Sequence, residues 1–294
     1  MITTLVRLAR RALAPLAALG LLAATPAAAE PALWVIRDHD STLCLMGTVH
    51  VLRPGTSWRE GKVEAALAEA QELVLEAAGL DDAAVMQPLI SAYGLDPARP
   101  VSSKLAEKDR ARLAEAASAM GLSPQMLEPM QPWLVALTLS MAPAIKAGYD
   151  PQSGVEMTLS QVARATGRSI EGLETPEEQI RYLAEMPQAT QLAFLTSTLD
   201  DMEASTGQLD AMVEAWAAGD TAGLERIFVT EMRADYPEVY ETLVVRRNRA
   251  WAKAIAEKLK GSGVSFIAVG AGHTVGPDSV QAELARLGIE AERQ

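Results

Sequence analysis

Val264-Ser265-Phe266-Ile267-Ala268-Val269-Gly270-Ala271-Gly272-His273 is the stretch from which this chain is best read. Up to Val269 it is uncharged and rich in β-branched and aromatic residues, the pattern of a buried strand. Glycine directly after such a strand lets the backbone turn sharply or approach a ligand closely, and a histidine three residues on can project back over the strand end. The same arrangement occurs more than 200 residues earlier, where Leu43-Cys44-Leu45-Met46 runs into Gly47-Thr48-Val49-His50. Two such Gly-x-x-His segments use two of the three histidines in the chain.

Working outward, Leu33-Trp34-Val35-Ile36 pairs as a hairpin with Leu43–Met46 across the polar turn Arg37–Thr42. His39 lies in that turn and is read as solvated. Trp58 to Ala70 has helical spacing, and Leu73-Val74-Leu75 is a short strand, apolar on both faces and therefore covered, that ends at Glu76. Helices follow through Leu113–Met120, from Pro132 toward Gly148, and over Thr158–Thr166. The last of these is a crossover into a weak strand, Ser169–Leu173, that ends at Glu174. Thr175-Pro176-Glu177-Glu178 is a helix start, with a Thr cap, Pro in the first turn and Glu at the third position. The chain then reads as helical to about Lys260, with breaks near Gly207, Gly219-Asp220 and Pro237. A helix at Ser279–Arg286 and an edge strand at Ile289–Glu292 close it. The pattern predicts an α/β fold: a central mixed β-sheet from N- and C-terminal strands, with a large helical insert or cap.

With 294 residues, 49% of them apolar, the chain has ample material for a core. Residues 1–29 read as a signal peptide: Arg7, Arg10 and Arg11 precede the uncharged run Ala12–Ala24, and Ala27-Ala28-Ala29 offers a cleavage site before Glu30. An uncleaved anchor is the alternative, although about 13 residues is short for a span. Residues 30–294 are then one domain, exported to the periplasm or secreted. Removing the three arginines takes the formal charge from −12 to −15. So acidic a surface repels phosphate backbones, which argues against nucleic-acid partners, and the mature chain contains no further stretch of membrane-span character. Cys44 is the single cysteine, so no internal disulfide forms, and its apolar setting marks it as a buried hydrophobe.

Four expected strands end in a residue capable of chemistry: His50, Glu76, Glu174 and His273. In open α/β sheets ligands bind outside the carboxyl ends of the strands, so these residues can converge on one edge. Glu76 closes an apolar strand and needs a cation or donors if buried. Glu174 either joins the site or caps the following helix through its dipole. Two histidines and a carboxylate form a divalent-metal set with open positions for water and substrate, and such an ion acidifies its water and polarises a carbonyl. No HExxH, GxSxG or P-loop occurs, and no GxGxxG follows a first strand. In Arg246-Arg247-Asn248-Arg249, Arg247 and Asn248 border the apolar stripe Trp251, Ile255, Leu259, while Arg246 and Arg249 are read as solvated. A basic residue there can anchor a carboxylate or stabilise an oxyanion.

These segments, in this order, resemble the TraB/GumN family. The resemblance is carried by Leu33–Ile36, Gly47–Leu52 with Pro54-Gly55, Glu72–Glu76, Gly172–Gln179, Arg247–Trp251 and Phe266–Gly276, and it spans Ala32 to Ile289. It implies an erythromycin-esterase/ChaN-like α/β fold and an active site of two GxxH histidines, a glutamate and an arginine, here His50, His273, Glu76 and Arg247. The family is similar to the animal Tiki proteins, which are metal-dependent proteases, and includes members linked to shutting off peptide pheromone signals. Two positions depart from its pattern. Glu156 stands where Asp is usual, which leaves its role open, and Thr274 replaces Leu.

The leading expectation is a metal-dependent peptidase acting on exported peptides or proteins. His50, Glu76 and His273 would hold Mn, Co or Zn, and Arg247 would assist substrate binding. The alternatives are a binding module that captures a peptide or metal without turnover, and a haem- or metal-handling protein.

Overall fold

The computed structural model describes residues 30–203 and 207–294; the expected signal segment lies outside them. Six strands form one mixed sheet: β1 (Leu33–Arg37), β2 (Ser41–Thr48), β3 (Glu72–Ala77), β4 (Ser169–Glu174), β5 (Gly263–Gly270) and β6 (Glu292–Arg293). The order across the sheet is β4-β3-β5-β2-β1-β6. β4, β3, β5 and β2 run parallel, and β1 is antiparallel to both of its neighbours. The uncharged Phe266–Val269 run belongs to β5, which is central and paired on both sides. The more polar β4 is an edge strand, exposed along much of its length. The C-terminal edge strand is shorter and later than its composition suggests, because Glu292 and Arg293 are the residues that reach β1.

Alternating side chains explain why the central strands are apolar throughout. Leu33, Val35, Cys44, Met46, Leu73, Leu75, Phe266 and Ala268 face one core. It is covered by α1 (Gly61–Glu69), through Val63 and Leu67, and by α2 (Val155–Thr166), through Leu159 and Ala163. Trp34, Ile36, Leu43, Leu45, Val74, Ile267 and Val269 face the other. Between β4 and β5 come α3 (Pro176–Ala184) and α4 (Arg246–Leu259), and α5 (Val280–Arg286) follows β5. Trp251 and Ile255 of α4, with Val280 and Leu284 of α5, close that second face. The sheet is thus buried between helices, as parallel strands require. A further helical layer, from Val101 to Leu139 and from Gln188 to Glu203, has its own core around Leu113, Leu127, Val135 and Leu195.

Helix limits differ from the sequence expectation where local geometry intervenes. α1 starts at Gly61 rather than Trp58: Gly61 has φ +46°, and Trp58 is buried ahead of the helix. The Pro132 helix stops at Ser140 and resumes at Ala142. α3 carries the full capping box, with the Thr175 side chain and the Glu178 side chain each bonded to the other's backbone N–H.

Truncating a central contact tests this layering. Ile267→Ala is expected to lower unfolding free energy by about 2–5 kcal/mol, and Ile227→Ala, at an exposed position, by less than about 1 kcal/mol, both read from urea denaturation.

Candidate functional site

Because β2 to β5 are parallel, their carboxyl ends share one edge of the sheet, and all four chemistry-bearing residues lie there. Register sets the spacing: Thr48 pairs with Gly270 and Ala77 with Glu174. Sterics hold the two GxxH turns together. A Cβ on Gly47 would sit 2.7 Å from Thr274 Oγ1 and 3.1 Å from Ala271 Cα. Thr274 is therefore more than a filler: its hydroxyl donates to the Ala271 carbonyl at 2.9 Å and lies against the first turn. Trp216, which sequence reasoning passed over, donates from Nε1 to the Gly47 carbonyl at 2.8 Å.

Arg247 sits at the centre, buried on α4. Nη2 donates to Glu76 Oε2 at 2.6 Å and to Glu174 Oε1 at 2.7 Å. Nε reaches both Glu174 oxygens, at 3.1 and 3.2 Å. Nη1 faces the Leu243 carbonyl at 3.5 Å and His273 Nε2 at 3.2 Å. The guanidinium also lies 4.5 Å from the Trp251 ring centre. Glu76 takes two further donors, Gly270 N–H at 2.7 Å and the Gln179 amide at 3.2 Å. Glu174 accepts from Trp251 Nε1 at 2.9 Å, so it belongs to the site instead of merely capping α3.

The electrostatics follow from this packing. Burial opposes ionisation of Glu76, but Arg247, the neighbouring histidines and the Gly270 N–H outweigh it and hold the carboxyl down to about 2. Glu174 shares the same cation, and burial pushes its carboxyl up. Desolvation works against the Arg247 charge, yet Glu76 and Glu174 raise its affinity for the proton further.

The two histidines are unlike. His273 is buried, and its ring lies 4.5 Å from the Trp251 ring at a tilt of 50°. Asn248 fixes its tautomer. The Asn248 amide nitrogen donates to the Asp278 carbonyl at 2.7 Å, so Oδ1 is left to face His273 Nδ1 at 2.7 Å. Nδ1 therefore carries the hydrogen and Nε2 carries the lone pair that Arg247 meets. Burial drives this ring's pKa down to about 3. His50, by contrast, has a side chain 66% exposed, and its Nδ1 donates to Glu156 Oε1 at 2.7 Å. Glu156 raises His50 to about 9 against desolvation, and water around the exposed ring screens that pairing.

Glu156 itself is placed by close packing. It lies in the first turn of α2, accepts a hydrogen bond from Thr48 Oγ1, and follows Gly154. A Cβ on Gly154 would lie 2.2 Å from the His50 carbonyl oxygen. Val155 N–H donates to the Val49 carbonyl at 3.0 Å, joining the two segments.

The expected metal ligands were tested against this arrangement. Both imidazoles have Nδ1 held by an acceptor, which directs Nε2 as a metal would need. His273 Nε2 and Glu76 Oε1 are 4.0 Å apart. However, the His273 lone pair and Glu76 Oε2 are engaged by Arg247. Among the described residues, three His, Asp or Glu donor atoms lie within 4.8 Å of one another only at Asp38, His39 and Asp40 in the exposed hairpin turn. As arranged, His50, Glu76 and His273 share one edge of the sheet but do not offer three converging donor atoms to a resident dication. A cavity of about 610 Å³ lies nearby, lined by Glu178, Tyr182, Thr190, Glu241 and Arg246 among others. None of the four expected site residues lines it.

Comparison with known proteins agrees with the motifs. The chain belongs to the TraB/PrgY/gumN family, whose model matches residues 32–293. It is similar to the uncharacterised protein YbaP of Escherichia coli (strain K12), with 27% identity over 176 residues, covering 60% of this chain and 64% of that one. It is also similar to an uncharacterised protein of Treponema pallidum (strain Nichols), with 23% identity over 265 residues, 85% and 79% of the two chains. The match spans just under two thirds of YbaP. No solved structure matches.

Two outcomes test the buried network. Arg247→Ala leaves two buried carboxylates without their cation and is expected to cost about 3–5 kcal/mol of stability by chemical denaturation. Glu76 and His273 both bind protons less readily folded than unfolded, so their stabilisation is present above about pH 6.5 and is lost as pH falls through about 3 and then about 2. His273→Gln should flatten the loss above the ordinary carboxylate pKa of 4.5, make it shallower from there to about 3, and leave the remainder to Glu76.

Proposed function

We propose that this chain is a hydrolase of exported peptides or proteins, with His50 as the proton-transfer group. The observation that carries the reading is the Glu156–His50 pair. A carboxylate on Nδ1 fixes the ring and leaves Nε2 free on an exposed side chain, the arrangement in which an imidazole takes a proton from an attacking water and returns it to a leaving group. The neighbouring wall is polar and rigid: Glu76, Arg247 and Gly270 are locked by mutual hydrogen bonds. Membership of the family and the resemblance to metal-dependent proteases support peptides as the substrate class, and the expected signal segment supports action outside the cytoplasm. Metal binding at His273 would require Arg247 to give up the Nε2 lone pair.

The binding-module reading uses the same cleft and is separated by product: saturable peptide binding lost in His50→Ala, with no cleavage, would replace the hydrolase reading.

The test is cleavage of a broad peptide library by the full chain, with and without added Mn, Co or Zn. His50→Ala is expected to lower kcat/KM by roughly 10²–10⁴-fold. A base must be unprotonated, so kcat/KM should rise with pH toward about 9. Glu156→Gln should move that rise to lower pH, toward the ordinary histidine value of 6.5, while reducing the maximum. A pH profile identical in wild type and Glu156→Gln would remove His50 from the proton-transfer role.

A further inference from the structure

We infer that Arg247 is the resident cation of this site, holding the position that a divalent metal would take, so that the site is built to work without one. The inference rests on the reading of this cleft as the working site, but its evidence is geometric and independent of turnover.

A guanidinium has five N–H donors in a fixed plane. In Arg247 every one has an acceptor: Nε–H on Glu174, the two Nη2 hydrogens on Glu76 and Glu174, and the two Nη1 hydrogens on the Leu243 carbonyl and His273 Nε2. The acceptors include Glu76 Oε2 and the His273 Nε2 lone pair that a metal would claim, while Glu76 Oε1 is held by the Gly270 N–H. Asn248 supports this pairing, because its amide nitrogen is committed to a carbonyl and so obliges His273 to present Nε2 as an acceptor. Trp251 covers one side: its ring faces the guanidinium, its Nε1 holds Glu174, and it packs at a tilt against His273. The arginine is thus saturated by contacts in the plane and packed against an indole. Releasing Glu76 and His273 to an ion would strip it of two acceptors while keeping it buried.

Its position on the chain is also specific. Arg247 follows a wide helical turn, Glu241–Val245, that runs straight into α4. Such turns place side chains that a regular helix cannot. The same saturation argues against Arg247 as an anchor for a substrate carboxylate, since no N–H is spare. It is a positioning residue that keeps Glu76 ionised and His273 in one tautomer beside the open His50 ring.

The experiment is metal analysis of the purified full chain carrying His39→Ala, which removes the exposed Asp38-His39-Asp40 group as a competing site. The expected result is no stoichiometric Mn, Co or Zn after dialysis, and a melting temperature unmoved by those ions or by a chelator, since a ligand of the native state would raise it. In the same background Arg247→Ala frees both donors and should acquire a zinc-dependent rise in melting temperature that His273→Ala then abolishes. If Arg247→Ala does not fold, Arg247→Lys is the second variant: it keeps a cation, and should stay metal-free while weakening the Glu174 and His273 contacts. One tightly held equivalent of metal in the Arg247 protein, lost on His50→Ala, Glu76→Ala or His273→Ala, would overturn the inference. Because these readouts need no substrate, a library in which nothing is cleaved sinks the hydrolase reading and leaves this one standing or falling on the metal data alone.

Discussion

The site depends on one buried cation held between two carboxylates. Glu76 and Glu174 end adjacent parallel strands, and without Arg247 two carboxylates would be desolvated side by side. Putting ions in such a place is expensive, and replacing them with apolar side chains commonly stabilises a protein. Their retention therefore points to work that apolar groups cannot do. The cost is offset by completeness: all five guanidinium hydrogens have acceptors, and Glu76 gains Gly270 and Gln179 besides. The network ties together β3, β4, the end of β5, α3 and α4, so a defect in any of them reaches the rest.

Glycine geometry supplies the second constraint. Gly47 has no Cβ because the Thr274 hydroxyl and the Ala271 backbone occupy that space, and Gly154 has none because the His50 carbonyl does. These are close approaches between segments distant in sequence, not turns that need a left-handed backbone. They bring the first GxxH against the second on one side and against Glu156 on the other. The distance from Nδ1 of His50 to its carboxylate is thus set by backbone packing, which is less adjustable than side-chain torsion.

Much of this was legible in the sequence, for identifiable reasons. The strand runs are apolar on both faces because each carries alternate side chains into two cores, and that doubles the signal. Glu76 was legible because a carboxylate closing such a strand must find donors, and it does. Glu174 was harder, since a Glu before a Thr-Pro helix start has a local explanation, and only the Trp251 and Arg247 contacts displace it. Asn248 was placed beside the apolar stripe and Gln179 in a family segment, but both act through partners contributed by other segments, so their neighbourhoods do not give their roles. Glu156 was visible only as a departure from the family pattern. Its role comes from a crossing of α2 over the first GxxH turn that no periodicity encodes. The metal expectation followed from residue types and from the family resemblance. Residue types do not say that a guanidinium lies within hydrogen-bond reach of the same lone pair.

The two Gly-x-x-His segments look equivalent in sequence, and the fold gives them opposite chemistry. Both histidines follow a glycine at the end of a parallel strand, and both have Nδ1 tied to an acceptor. The acceptor decides the outcome. For His50 it is a carboxylate and the ring faces solvent, so the proton is held more tightly than usual and can be exchanged with whatever enters the cleft. For His273 it is a neutral amide and the ring is enclosed by Trp251 and Arg247, so a second proton is excluded and the ring serves as a fixed acceptor. A second charged imidazole beside Arg247 would add a positive charge to a buried site already balanced around one. The repeated motif therefore specifies a position at the sheet edge, and the neighbours of each ring specify what it does there.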